Sequence, residues 1–324
     1  MLSFVTGFPK SKVILLLSIL SLVFVSGCVG GENKSSSSSA LVVEAFEPDI
    51  RGIPINPGEE LQFSLIVRNT GSEEAKEVSI DVVGLDGWEY VKWTGGCKSG
   101  DFLSGSNIAT GKIAKLSPPN PEFSTPGESR QCILQLKAPK DLPLDQSFQP
   151  KLSIRYNYNS VTIGRIAVPS REKVVIRQDS GQTLDSETIF KSSSPIDIDL
   201  STRGQGSQVR VSSGEVKFPL FITINNLGGG FVCSKPGDCS NTRKKIPLDI
   251  EAKSSLLKVD AKCLEKAREI DLFRGQRGEI KCDMTVQKSS DKLIDDLVSV
   301  EVKSPLYAYT IEYPGQSVTV KRKV

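Results

Sequence analysis

A strand pattern that occurs twice sets the strongest limit on what this chain can fold into. Gly58-Glu59 leads into Leu61, Phe63, Leu65 and Val67, which alternate with Gln62, Ser64 and Arg68, Ile66 being the one exception, and Asn69-Thr70-Gly71 closes the run. Gly214-Glu215 leads likewise into Phe218, Leu220, Ile222 and Ile224, closed by Asn225-Asn226-Leu227-Gly228. Alternation with a period of two marks a half-buried strand, and the Asn/Gly clusters supply turn chemistry. The parallel continues downstream. Val78, Ile80 and Val82 match Ile246, Leu248 and Ile250, and Cys97 matches Cys263. Gly127-Glu128 up to Cys132 matches Gly278-Glu279 up to Cys282. The strand Leu152, Ile154, Tyr156, Tyr158 matches Val298, Val300, Val302 with Tyr307 and Tyr309. Short alternating strands between Gly/Pro turns predict an all-β chain of two tandem β-sandwich domains, over 41–170 and 195–324. The polar stretch 171–194 between them reads as a linker, with Val174-Val175-Ile176 as a strand extension.

The N-terminus carries an address. Lys10 and Lys12 precede the apolar run Val13 to Val25, then Ser26, Gly27 and Cys28. A basic start, a short apolar stretch and small residues at its end make a secretory signal. The run is short of the about 20 residues that a permanent membrane span needs. Val25-Ser26-Gly27-Cys28 resembles a lipobox, and Val29-Gly30-Gly31 is similar to the Gly-rich start of archaeal lipoproteins. That resemblance implies cleavage after residue 27, a lipid on Cys28 and a location at the outer face of the cell membrane. Ordinary secretion and an uncleaved helical anchor are the alternatives. Residues 28–40 are rich in serine and read as a flexible tether. Asn33-Lys34-Ser35 within it is an N-glycosylation sequon.

Location decides what the cysteines do. The chain has seven, and with Cys28 on the anchor six remain: Cys97, Cys132, Cys233, Cys239, Cys263 and Cys282. An even set in an exported chain predicts disulfides. The repeat assigns Cys97–Cys132 and Cys263–Cys282 as equivalent pairs. Cys233 and Cys239 flank an insertion of the second copy and are expected to pair across it. Histidine is absent, which removes Ser-His-Asp and Cys-His catalysis and every histidine-containing metal site. A net charge of +3, spread along the chain, gives no basic face for nucleic acid. No metal or other cofactor is expected.

The strand Gly58 to Gly71, followed by Ala75 and Val78-Ser79-Ile80, resembles the CARDB-like, immunoglobulin-like modules of archaeal and bacterial surface proteins. The second copy is similar only loosely, since Asn226-Leu227-Gly228 stands where the family has Asn-Thr-Gly. The resemblance implies an immunoglobulin-like sandwich with an adhesion, spacer or envelope role and no catalytic motif. A sandwich hosts many functions, so the implication is one of fold.

Two places are candidate contact surfaces. Trp88, Tyr90 and Trp93 precede Cys97 and form either a platform for sugar or peptide or, as core energetics favour, packing around the disulfide. Gly228-Gly229-Gly230 and the loop holding Lys235 and Asp238 belong to copy two alone and read as a displayed loop. The tyrosines recur in both copies and read as packing. Asp197 and Asp199, and the group Asp291, Asp295 and Asp296, read as solvated acids. The expected role is a non-catalytic interaction, scaffold or envelope protein. Its partners would be membrane lipid through Cys28 and an unknown protein or glycan of the envelope, with weakly protected sheet edges as a second route to association. A solute- or glycan-binding lipoprotein serving a transporter is the alternative.

Overall fold

The computed structural model describes residues 40–100, 109–169, 171–182, 188–202, 215–233, 244–287 and 297–323. The fold is all-β. In the first half the strands are β1 (Leu41–Pro48), β2 (Glu60–Asn69), β3 (Ala75–Val83), β4 (Glu89–Gly95), β5 (Lys98–Ser99), β6 (Ala109–Leu116), β7 (Ser129–Lys137), β8 (Gln146–Phe148) and β9 (Lys151–Ala167). Helix α1 (Arg171–Asp179) and β10 (Thr188–Lys191) follow. The second half has β11 (Ile196–Ser201), β12 (Glu215–Asn226), β13 (Phe231–Cys233), β14 (Lys244–Ile246), β15 (Asp249–Ala252) and β16 (Leu257–Val259). Helix α2 (Ala261–Ala267) leads to β17 (Ile270–Leu272), β18 (Arg277–Gln287), β19 (Leu297–Pro314) and β20 (Val318–Val320).

Each half supplies its own front sheet, in the same order. The first is β1-β2-β7-β4 and the second β11-β12-β18-β16. The alternation seen in the sequence is what drives them together: Leu61, Phe63, Leu65 and Val67 point inward and are fully buried, as are Ile222 and Ile224 of the second copy. Burying each such side chain is worth about 1.5–3 kcal/mol.

The back layer is common to both halves. One eight-stranded sheet runs β13-β19-β9-β3-β6-β5, with β10 beside β9 and β15 beside β19. The long strands β9 and β19 pair antiparallel from Lys151↔Pro314 to Ala167↔Leu297. Each passes through both sandwiches. The first half of β9 carries Leu152, Ile154, Tyr156 and Tyr158 into the first core. Its second half turns Thr162 and Gly164 toward β11, where Thr162 donates to the Ile198 carbonyl at 2.8 Å and Gly164 leaves room for Leu200. The expected boundary between 170 and 195 therefore separates the front sheets but not the back one.

The 171–194 connection also differs from a polar linker. Residues Arg171–Asp179 are helical, with Glu172 in the first turn and Arg177 in the last, the arrangement that suits the helix dipole. Val174 is buried while Val175 and Ile176 are exposed. Three β-branched residues in a row suggested a strand; the chain instead makes one helical excursion before β10 returns along β9. A third difference lies in the repeat. The first copy has one β3 along β9, whereas the second has β13 and β15 along β19, with Cys233↔Ala308 in the place of Lys76↔Asn157. Ile246 pairs instead with Ile270, in the small sheet β14-β17.

The two copies meet at a duplicated junction. The Ala40 carbonyl accepts from the amides of Thr70 and Gly71, and the Pro195 carbonyl accepts from those of Leu227 and Gly228. Tyr158 Oη accepts from the Glu73 amide at 2.9 Å, and Tyr309 Oη from the Gly230 amide at 2.9 Å. The Asn69 side-chain amide donates to the carbonyls of Glu73 and Leu116, and that of Asn226 to Gly230 and Gly275. Tyr156, Tyr158, Tyr307 and Tyr309 are buried between them, with neighbouring ring centroids 5.8–6.4 Å apart. Burial is the main reason all four phenols titrate above their ordinary range, Tyr309 at about 12.

The end of the chain returns to the first half. β20 pairs with β8, and Ile55 is held between the Thr319 carbonyl and the Lys321 amide. Val318 and Val320 are buried there, and Gly315 lies against the Phe46 ring.

Candidate functional site

The first disulfide sits where the chain crosses between layers. β4 ends at Gly95, which has φ 75° and so favours glycine. After Gly96, whose amide still donates to the Gln131 carbonyl of β7, the chain leaves the front sheet, and β5 joins the back sheet beside β6. Cys97–Cys132 bridges this crossing to β7, with Cα atoms 5.1 Å apart. The aromatic residues ahead of it are mostly turned inward. Trp93 is 5% exposed and packs on β6, where a Cβ on Gly111 would lie 3.0 Å from its ring. Trp88 is half-buried and meets Phe148 edge-on at 5.6 Å. Tyr90 donates its hydroxyl proton to Ser99 Oγ at 2.9 Å and accepts the Trp93 amide at 3.0 Å. The three side chains brace the corner rather than form one open platform.

Beside this corner is a cleft of about 760 Å³, within the range of about 300–1,000 Å³ usual for ligand sites. One wall is β3 and β6, with Glu77, Val78, Ser79, Lys112, Ile113, Ala114 and Lys115; the other is Gly95, Gly96, Lys98 and Arg130. Four cations thus stand against one carboxylate. That carboxylate is engaged, since Asn157 donates to Glu77 Oε2 at 2.7 Å. Lys115 pairs with Glu74 at 2.9 Å and Arg130 with Glu128, neither of which lines the cleft. Beyond the paired stretch Lys98↔Lys112 and Ser99↔Gly111, β6 continues along the cleft with no neighbour on that side among the described residues. The sequence singled out Cys97 and the aromatics but not this cleft. Its cations come from three strands that meet only in the fold, and Ala109, Gly111 and Ile113 give β6 a weak alternation.

In the second copy, Gly229 is described and has φ 72°. Cys233 is disulfide-bonded, and its Sγ lies 3.1 Å from Thr310 Oγ1. Lys235, Asp238 and Cys239 lie outside the described residues, as do Cys28, Asn33, Asp291, Asp295 and Asp296. Cys263 bonds Cys282 at a Cα separation of 5.0 Å, but from helix α2 rather than from a crossing strand. Lys191 pairs with Asp197 and Asp199 at 3.1 and 3.0 Å; Asp197 is partly covered while Asp199 stays open to solvent. A depression of about 580 Å³ in this half is lined by Glu215, Asp260 and Asp283 against Lys217 and Lys258, so it lacks the positive excess of the first. Among the described residues no group of histidine, cysteine or carboxylate side chains could hold a metal ion. Among the same residues no helix is long and apolar enough to cross a membrane.

Fold and site together define a tandem β-sandwich protein with a shared back sheet. No protein-family model and no curated protein matches the chain. Solved structures resemble it only distantly. The major pilin subunit BcpA of Bacillus cereus aligns with TM-score 0.28 and 6% identity over 74% of this chain and 55% of that one. Domains D2 and D3 of the major pilin SpaD of Corynebacterium diphtheriae align with TM-score 0.26 and 9% identity, over 79% and 80%. The C-terminal globular domain of an oligosaccharyltransferase from Pyrococcus abyssi aligns with TM-score 0.24 and 11% identity, over 88% and 50%. Likeness at this level carries no inference about activity.

Proposed function

We propose that this is an extracytoplasmic, membrane-anchored protein that presents a rigid double sandwich to a partner in the cell envelope, without catalysis. The supporting observation is that β9 and β19 each run through both sandwiches. A shared sheet removes the hinge that a linker between two modules would leave, which suits a scaffold or spacer. The Val25-Ser26-Gly27-Cys28 run and the serine-rich stretch behind it support the anchor, and the Asn-Thr-Gly strand resembling CARDB-like modules supports a surface role. A dual-chain lipid holds stably because each buried methylene is worth about 0.8 kcal/mol. The test is fractionation of cells expressing Cys28→Ser. The reading expects the variant in the soluble fraction and the parent in the membrane; a variant that stays with membranes through a carbonate wash would sink the lipid anchor. Crosslinking on intact cells then asks for an envelope partner, and recovery of the chain alone would count against the scaffold role.

A further inference from the structure

We infer that the cleft beside the first disulfide takes an extended acidic segment of a partner protein, which adds as a strand to the open edge of β6. Three observations meet there. The Thr110 carbonyl accepts from the Gly100 amide at 2.8 Å, so Thr110 turns its backbone toward the β5 side. Backbone groups alternate along a strand, so Lys112 and Ala114 face the same way. β5 stops after covering Lys112, because Gly96 has left for the front sheet, where its amide donates to the Gln131 carbonyl at 2.8 Å. The edge at exposed Ala114 is therefore the track that β5 vacates. Strand addition supplies affinity through such an edge, and side-chain chemistry supplies selection.

Charge selects the occupant. Among the described residues, Lys98, Lys112, Lys115 and Arg130 surround the track and Glu77 is the carboxylate on its walls. The site is also braced. Cys97–Cys132 ties the crossing that carries Lys98 to the strand that carries Arg130, and Arg130 lies over Gly96, where a Cβ would sit 3.2 Å from its Cδ. Three other sheet edges are guarded. β1 is bulged between Val43 and Ala45, β4 between Tyr90 and Lys92, and β11 carries Asp197 and Asp199. This gives a partner chemistry to the interaction role proposed above and rests on it. The test below needs no membrane, so its failure is distinct from failure of the anchor.

The purified full chain is titrated into a fluorescent peptide of about ten residues that alternates glutamate and valine. Saturable binding is expected, together with none for the lysine-valine counterpart. Alternate N-methylation of the peptide, which blocks main-chain pairing, should weaken binding by about tenfold or more. The double variant Lys98→Glu/Lys112→Glu and the variant Ala114→Pro should each lose about as much, with an unchanged melting temperature, since these positions are exposed. Equal binding of the N-methylated peptide would overturn strand addition. So would unchanged affinity in Ala114→Pro, or a polyuronate oligosaccharide that binds where the peptide does not.

Discussion

At the scale of single residues, the junction between the copies is tightly constrained. A Cβ on Gly71 would lie 2.0 Å from Tyr158 Oη and 2.8 Å from the Ser193 carbonyl; on Gly228 it would lie 2.6 Å from Tyr309 Oη. Gly71→Ala and Gly228→Ala should each destabilise the fold by about 1–3 kcal/mol, the usual effect of overpacking. Denaturant midpoints measure this, and an unchanged midpoint would show that the tyrosines move freely. The same phenols set an alkaline limit. Tyr309 is held at about 12, chiefly by burial, against about 10 in an unfolded chain. The folded state thus keeps its proton where the unfolded state loses it. This stabilisation is complete below about pH 10 and is lost as pH rises through about 12. Tyr156, Tyr158 and Tyr307 are shifted in the same direction. Tyrosinate absorbance from the four should therefore appear together with loss of β circular dichroism; titration of all of them in a folded protein would contradict the packing.

At the scale of elements, the sequence announced strands that alternate cleanly and hid those that do not. β2 and β12 were legible because Leu61 to Val67 and Phe218 to Ile224 keep a period of two, broken only by Ile66 and Phe221. The cysteine pairs Cys97–Cys132 and Cys263–Cys282 were legible because the repeat placed them, and both bonds are present. The second half of β9 was not legible. Its inward residues Thr162 and Gly164 are small or polar because Ile198 and Leu200 fill the space above them. The clasp that β20 forms with β8 was hidden for another reason: Val318-Thr319-Val320 is too short to mark a strand, and β8 lies far back in the chain. The cleft was hidden because cations from β5, β6 and β7 converge only after folding. Deleting residues 315–324 should cost the first sandwich about 3–6 kcal/mol, the burial of Val318 and Val320. Hydrogen exchange at Ile55 and Phe148 should speed up, and unchanged protection there would show that the clasp is dispensable.

At the scale of the whole described body, two sandwiches that share long strands should not melt separately. Calorimetry of the oxidised protein should give one cooperative transition, whereas two resolved transitions would mean that β9 and β19 do not couple the halves. Reduction removes bridges separated by 35 and 19 residues, each worth about 3–4 kcal/mol on chain-entropy grounds. It should lower that transition without splitting it. The position of Ala40 has a mechanical consequence. Its carbonyl holds Gly71, which lies against Tyr158 at the middle of β9, so the chain joins the body between the two sandwiches rather than at one extremity. Whatever strains the start of β1 is therefore felt by both sandwiches at once, through the strand they share.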